Sequence, residues 1–212
     1  MRATIFAAAI VLAYFQPTVA NASGRLLPSA SPLFARVYST AQPPYGFVQF
    51  CRAHPQECSS EPSEASRVEA TPDRLAELHD VNRAVNHAIE PITDKDQFGV
   101  DELWTLPTSG KGDCEEYVLF KRKLLRERRW PTSALLITVV SDEDNQGHAV
   151  LTVRTDSGDF ILDNKHDDIR LWSEVPYTYI MRQSYLNPMA WMSLAPNNLP
   201  TPVGVAKVRP DN

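Results

Sequence analysis

The sequence predicts a single α+β domain in which helices come first and an antiparallel sheet follows. Apolar residues recur at helical spacing over residues 71–91 and again after residue 113. Beyond Pro131 the pattern changes to short alternating or continuously apolar runs, which are typical of strands. A chain of 212 residues with 43% hydrophobic content is long enough to bury one hydrophobic core.

Residues 1–22 are predicted to be a secretory signal peptide. Arg2 precedes a largely apolar run over residues 3–15, and small residues follow up to Ala22, the expected cleavage point. The run is too short to span a bilayer comfortably, and an uncleaved membrane anchor is the alternative. We therefore expect a periplasmic or secreted protein.

The rest of the chain is expected to form a domain over residues 23–194 and a proline-rich tail over residues 195–212 that lies on the surface or is disordered. Within the domain, residues 23–51 and 59–71 are predicted to be loops. The net charge of −5 and the pI near 5.5 argue against nucleic acid as a main partner.

Export changes the meaning of the three cysteines. In an oxidising compartment Cys51 and Cys58 are predicted to form a disulfide, because the six residues between them can turn at Pro55 and bring the two within bridging range. Cys114 is then left over. An odd cysteine in an exported chain is either an intermolecular bridge or a reactive thiol.

Two helices are predicted. The first has Thr71 as its N-cap and Pro72 at its first helical position. The second has Asp113 as its N-cap and Glu116 three residues later, a variant of the capping box, and its basic residues within 121–129 crowd its C-terminal end. The buried stripes are expected to be Leu75, Leu78, Val81, Val85 and Ile89 in the first helix, and Cys114, Tyr117, Phe120 and Leu124 in the second.

Four strands are predicted to follow, over residues 133–141, 148–155, 158–164 and 176–184. If residues 154–157 connect the second strand to the third, His148 lies opposite Asp163 and apolar residues oppose one another on both faces. A two-residue turn at Ser157–Gly158 would instead place His148 opposite Asp167. Because Asp167 lies beyond the apolar part of its strand, Asp163 is preferred.

Cys114 has the position of an activated nucleophile, because the free amides of a helix N-terminus stabilise a thiolate. Among the five histidines, His148 is the candidate base, since it opens a strand directly after a polar loop. Asp163 would orient the imidazole and complete a Cys-His-Asp triad. The Cys114 amide could donate to the oxyanion, and Trp104 and Asn82 are candidates for a second donor, although packing is the stronger expectation for Trp104.

Several segments, in this order, resemble one known family. They run roughly from Tyr45 to Leu194 and are "GFVQFCRAHPQEC", "VNRAVNHAI", "DQFGVDELWTLP", "GDCEEYVLFKRKLL", "ALLITVV", "GHAVLTV", "FILDN" and "PYTYIMRQSYLNPMAWMSL". As a set they resemble the bacterial transglutaminase-like cysteine proteinases, which include the LapG-like periplasmic peptidases. The resemblance implies a papain/transglutaminase-like core, with the nucleophile at a helix N-terminus packed on an antiparallel sheet. It also implies a triad of Cys114, His148 and Asp163.

The resemblance further implies calcium beside the nucleophile, because LapG-like members bind the ion through acids of the same motif. The matching positions are Asp113, Glu115 and Glu116, and Glu116 stands where an aspartate is expected. Calcium takes about six to eight oxygen ligands, so these acids would supply only part of its site. Their other interpretation is as capping and dipole partners of the helix.

We therefore expect a periplasmic cysteine endopeptidase that cleaves an exported protein, such as a surface adhesin, with an inhibitory inner-membrane protein as a candidate partner. The same thiol could instead transfer the acyl group to an amine, as a transglutaminase does, or hydrolyse a cell-wall amide. A non-catalytic periplasmic binding module is the alternative from another class, in which Cys114 is core filler and His148 merely begins a strand.

Overall fold

The structure is a computed structural model that describes residues 32–59 and 66–196. Its helices are Tyr45–Ala53 (α1), Pro72–Ala88 (α2), Asp94–Phe98 (α3) and Cys114–Glu127 (α4). Its strands are Ser39–Ala41 (β1), Glu90–Pro91 (β2), Lys111–Gly112 (β3), Leu135–Ser141 (β4), Gly147–Thr155 (β5), Gly158–Asp163 (β6), His166–Leu171 (β7), Thr178–Gln183 (β8) and Trp191–Ser193 (β9). The predicted signal peptide, and the predicted tail from residue 197 onward, lie outside the described residues.

Seven of the strands form one antiparallel sheet in the order β1-β9-β8-β4-β5-β6-β7. Nearly every residue of the central strands β4 and β5 is buried, because other parts of the chain cover both faces of the sheet. β2 and β3 pair in parallel in a separate ladder directly before α4. The predicted α+β class with an antiparallel sheet is confirmed, although β1 precedes the helices and belongs to the same sheet.

α4 is the helix that carries Cys114 to the sheet. The predicted capping box is confirmed, because the Asp113 N–H donates to Glu116 Oε2 at 2.9 Å. α4 packs against β5 on one side and α2 on another, and side chains around most of its circumference are therefore buried. These include Lys121 and Arg122, which lie in the middle of α4, whereas Arg126 is the basic residue of its last turn.

α2 begins and ends close to the predicted positions. The Thr71 hydroxyl accepts a hydrogen bond from the Arg74 N–H at 3.2 Å, as an N-cap does. The apolar stripe of α2 is buried or packed against the core along its length. Within the described ranges, no helix combines the length and the apolar content needed to cross a bilayer.

Two predictions about connecting segments are wrong. The predicted loop over residues 23–51 contains β1 and α1, because Phe47 and Phe50 give this short segment its own buried face. No strand was predicted between residues 164 and 176, but β7 begins there at His166. The predicted disulfide is confirmed, and the α-carbons of Cys51 and Cys58 lie 5.6 Å apart.

The hairpin of β5 and β6 has neither of the registers that were considered. Thr155 pairs with Gly158, so the turn has two residues and begins one residue earlier than the alternative register required. His148 and Asp163 are therefore not directly opposite, and that prediction is wrong by two residues. A shift of two residues keeps a side chain on the same face of a sheet, so the two remain diagonal neighbours.

Candidate active site

His148 on β5 and Asp163 at the end of β6 form a buried hydrogen-bonded pair. Nε2 of His148 lies 2.9 Å from Oδ1 of Asp163, and the two residues are only 3% and 2% exposed. Oδ1 also accepts from the backbone N–H of Lys165 at 3.0 Å, and Oδ2 accepts from the Tyr177 hydroxyl at 2.6 Å. Because Asp163 engages Nε2, Nδ1 is the ring nitrogen that remains for another partner.

The hydrogen bonds keep Asp163 ionised. Burial by itself raises the pKa of this carboxyl, but the hydrogen bond and charge of His148, with the donors Lys165 and Tyr177, outweigh burial and hold the pKa below its usual range. A buried carboxylate with donors on both oxygens can fix the orientation of the imidazole.

Tyr177 is a site residue that the sequence analysis missed. Besides its hydrogen bond to Asp163, its ring packs edge-on against the His148 ring, with 5.7 Å between centroids. Burial and the neighbouring carboxylate raise the pKa of Tyr177, so its hydroxyl stays protonated and donates. The only signal in the sequence was an aromatic residue near a strand start, which equally indicates packing.

Cys114 is the first residue of α4 and is 2% exposed. Its thiol donates to Oε2 of Glu115 at 3.0 Å. Burial, and then the carboxylates of Glu115 and Asp113, raise the pKa of this thiol well above its usual value, while a hydrogen bond from the Ala149 N–H acts in the opposite direction. Ala149 follows His148 directly, so the Cys114 sulfur contacts the strand that carries the imidazole.

Four buried acids surround the start of α4. The possible ligand atoms of Asp94, Asp113 and Glu116 all lie within 4.8 Å of one another, and those of Asp113, Cys114 and Glu115 form a second group of the same size. Asp113 Oδ1 and Glu115 Oε1 are buried and have no hydrogen-bond partner among the described residues. Orphaned carboxylate oxygens that converge in this way suit a hard divalent cation.

The ionisation of these acids reflects their crowding. Burial and the charge of Asp113 raise the pKa of Glu115 well above its usual value and that of Glu116 to about 9. Burial and the same neighbour raise the pKa of Asp94 to about 6. Asp94 was missed in the sequence, since it begins the short helix α3 well before the nucleophile motif and accepts from the Leu103 N–H.

Neither candidate for a second oxyanion donor has a free N–H group. Trp104 Nε1 donates to Glu102 Oε1 at 3.0 Å, and its ring packs edge-on against Phe47, which agrees with the packing role expected for Trp104. Asn82 Nδ2 donates to the backbone oxygens of His166 and Asp167 at 2.8 and 2.9 Å. Asn82 therefore secures the β6–β7 turn.

Comparison with known proteins identifies one family for this chain. A family model described as the bacterial transglutaminase-like cysteine proteinases, which the sequence resembles, matches residues 37–198. Calcium-bound LapG of Legionella pneumophila is 27% identical, with a TM-score of 0.47, over 54% of this chain and 66% of that one. EGTA-treated LapG of the same organism is 27% identical, with a TM-score of 0.46, over 54% of this chain and 64% of that one. The chain thus covers slightly less than two thirds of either structure, and no curated protein matches it.

Proposed function

Because the chain belongs to the bacterial transglutaminase-like cysteine proteinases, we propose that it is a cysteine endopeptidase with Cys114 as nucleophile and His148 and Asp163 as its partners. The observation that carries this proposal is the buried hydrogen bond between His148 and Asp163. His148 lies on β5, and the amide of the next residue, Ala149, contacts the Cys114 sulfur. If His148 served only for packing, its partner Asp163 would not need a further hydrogen bond from the buried Tyr177 hydroxyl.

Each member of the triad has a distinct role in the proposed reaction. The Cys114 sulfur attacks a peptide carbonyl carbon as its proton passes to Nδ1 of His148, so a C–S bond forms and the carbonyl electron pair moves to oxygen. Collapse breaks the C–N bond, and the imidazolium protonates the leaving amine. Water then attacks the thioester, His148 accepts its proton, and release of the acid regenerates the thiol. Asp163 holds the imidazole throughout.

Calcium is proposed as the ion held beside the nucleophile. Asp94, Asp113, Glu115 and Glu116 would supply carboxylate oxygens, and backbone carbonyls or water would complete the coordination. When bound, a divalent cation supplies positive charge that offsets the carboxylates raising the pKa of the Cys114 thiol. The two orphaned oxygens of Asp113 and Glu115 support this assignment.

The remaining parts of the proposal concern place and partners. The apolar run near the N-terminus supports export, so we propose a periplasmic or secreted enzyme that acts on another exported protein. A surface adhesin is the proposed substrate, and an inhibitory inner-membrane protein is the proposed regulator, both on the resemblance to the LapG-like peptidases.

A peptide-mapping experiment tests the function. The purified chain is incubated with exported proteins, calcium and a labelled primary amine, with Cys114→Ala as the control. New protein termini that require Cys114 support the endopeptidase, whereas amine incorporation that requires Cys114 indicates a transglutaminase. Neither product, together with an iodoacetamide reaction at Cys114 no faster than that of a free thiol, would indicate a non-catalytic binding module.

A further inference from the structure

Lys121 is a buried base that the proposed chemistry does not use. It lies one helical turn after Tyr117 on the same face of α4, and its side chain is 0% exposed. Its Nζ is buried and has no hydrogen-bond partner in the part of the chain that the structure describes. A lysine is rarely buried completely, because an ammonium or amine group without partners costs free energy there.

The face of α4 that carries Lys121 points toward α2 and toward the β6–β7 turn. The Tyr117 hydroxyl donates to the Ile89 backbone oxygen at the end of α2 at 2.7 Å, and the Lys121 amino group lies 5.8 Å from the centroid of the Tyr117 ring. Burial lowers the pKa of Lys121 to about 7, and the carboxylates of Asp163 and Asp167 act against that effect. Both carboxylates belong to the β6–β7 hairpin.

Two asparagines of α2 hold the same turn. Asn86 Nδ2 donates to the backbone oxygen of Asp163 at 3.0 Å and to Asp167 Oδ1 at 3.1 Å, and Asn82 Nδ2 donates to the neighbouring backbone oxygens. The Oδ1 atoms of both asparagines are buried and have no hydrogen-bond partner among the described residues. Unpaired acceptors on α2 and an unpaired donor on α4 are therefore both near the β6–β7 hairpin, which carries Asp163.

We propose that Lys121 is a positioning residue of the active site. Through a bridging water molecule, its amino group satisfies the Oδ1 acceptors of Asn82 and Asn86, which have no donor within the described protein, and so fixes the amides that hold the backbone of Asp163. The inference rests on the proposed function, because Asp163 matters to the reaction only through His148. Lys121 touches no substrate and acts entirely through the turn.

The charged and titratable groups around Lys121 come from three elements. Tyr117 belongs to α4, and Asp163 and Asp167 belong to the hairpin of β6 and β7. Asp163 is in turn bound by His148 and Tyr177, and Asp167 is paired with His87 of α2 at 3.1 Å. Lys121 is thus a buried amino group near two carboxylates that already have other partners.

Lys121→Met is the decisive variant, because it keeps an unbranched apolar side chain as far as Cε and removes every donor. If Lys121 were only a tolerated buried base, this replacement would leave kcat unchanged and would leave stability equal or higher. Under the proposal, kcat for a peptide substrate falls about 10- to 100-fold with KM unchanged, while circular dichroism shows that the variant is still folded. Lys121→Gln, which keeps a donor, should recover part of kcat. Lys123→Met, which removes a partly exposed ammonium from the same helix, is the matched control and should change neither parameter.

A second measurement does not depend on turnover. In the Cys114→Ala background, the low-field resonance of the His148 Nε2–H that faces Asp163 should shift or exchange faster with solvent when Lys121 is replaced by Met. An unchanged resonance and an unchanged kcat would overturn the proposal. If the unaltered chain cleaves no substrate, the proposed function fails while the resonance still decides the role of Lys121. If Lys121→Met does not fold, Lys121→Leu, which also lacks a donor, takes its place in both measurements.

Discussion

Replacing Tyr177 with phenylalanine removes one hydroxyl group from the candidate active site and leaves the aromatic ring in place. In the structure that hydroxyl donates to Oδ2 of Asp163 at 2.6 Å, and the carboxylate is buried. The ring would keep its edge-on contact with His148. The substitution therefore isolates a single hydrogen bond to a buried charge.

The expected cost follows from the state in which Asp163 is left. A hydrogen bond to a charged group contributes about 1.5–3 kcal/mol, and a buried acceptor without its donor loses most of that free energy. We therefore expect the free energy of unfolding at pH 7 to fall by about 2 kcal/mol. With a urea dependence of about 2 kcal/mol per M, the unfolding midpoint would fall by about 1 M.

The pH dependence gives the prediction a second signature. Although burial opposes ionisation, hydrogen bonds from His148, Lys165 and Tyr177 hold the pKa of Asp163 below its usual range. Its carboxylate therefore contributes stability that is present above the unfolded-state pKa and is lost as the pH falls through the folded-state pKa. Without the Tyr177 donor the folded-state pKa rises, so acid unfolding should begin at a higher pH.

Urea denaturation from pH 7 down to the acid transition measures both effects, and β8 offers a matched control. The Tyr179 hydroxyl is buried and, among the described residues, has no hydrogen-bond partner. Tyr179→Phe should therefore be neutral or slightly stabilising. Equal midpoints for the two variants, or an acid transition that Tyr177→Phe leaves unmoved, would refute the assignment of Tyr177 as a partner that holds Asp163.

Three further predictions concern the nucleophile, the acids and the disulfide. Cys114→Ala should reduce the rate of cleavage by more than about 1000-fold, while circular dichroism and the urea midpoint show that the variant is folded. Cleavage at the original rate would exclude Cys114 as the nucleophile. The folded state raises the pKa of Glu116 to about 9 and that of Asp94 to about 6. The cation-free protein should therefore lose stability as the pH rises from about 5 to 9. Added calcium should raise the melting temperature most at the alkaline end, and a calcium response that is equal or larger at pH 5 would contradict this cluster as the binding site. Reducing the Cys51–Cys58 disulfide, or replacing both cysteines by alanine, should lower the free energy of unfolding by about 2.5 kcal/mol, the value that chain entropy gives for a loop this short. Cleavage should be retained. An unchanged urea midpoint would contradict this prediction.

The features that were predicted correctly from the sequence are local ones. The N-cap Thr71 and the capping box of Asp113 and Glu116 act within one helical turn, so three or four neighbouring residues suffice to identify them. The disulfide closes a short loop and followed from the cysteine spacing together with the predicted export. The family was also predicted correctly, and it agrees with the model that matches residues 37–198. The triad, the calcium ligands and the domain limits stay predictions.

The β5–β6 register shows why a partly wrong inference still led to the right pair. The apolar alternation of both strands determines which face each side chain occupies, and this period of two is visible in the sequence. The length of the turn decides the remaining shift, and the turn residues Asp156 and Ser157 do not determine it by type. Because the error was two residues, Asp163 stayed on the face of His148 and within hydrogen-bonding distance.

What the sequence by itself determined is the α+β class, the two long helices and the main strands of the sheet, the cysteine left unpaired and the chemical type of the groups near it. What only the tertiary structure decided is which distant residues meet. Tyr177, Asp94 and Lys121 each resemble ordinary packing, capping or surface residues when taken alone. Folding places Tyr177 and Asp94, both buried, against carboxylates from other segments, and it brings the buried Lys121 near the carboxylates of Asp163 and Asp167. Interactions over such sequence distances depend on the packing of whole elements, which no local pattern records.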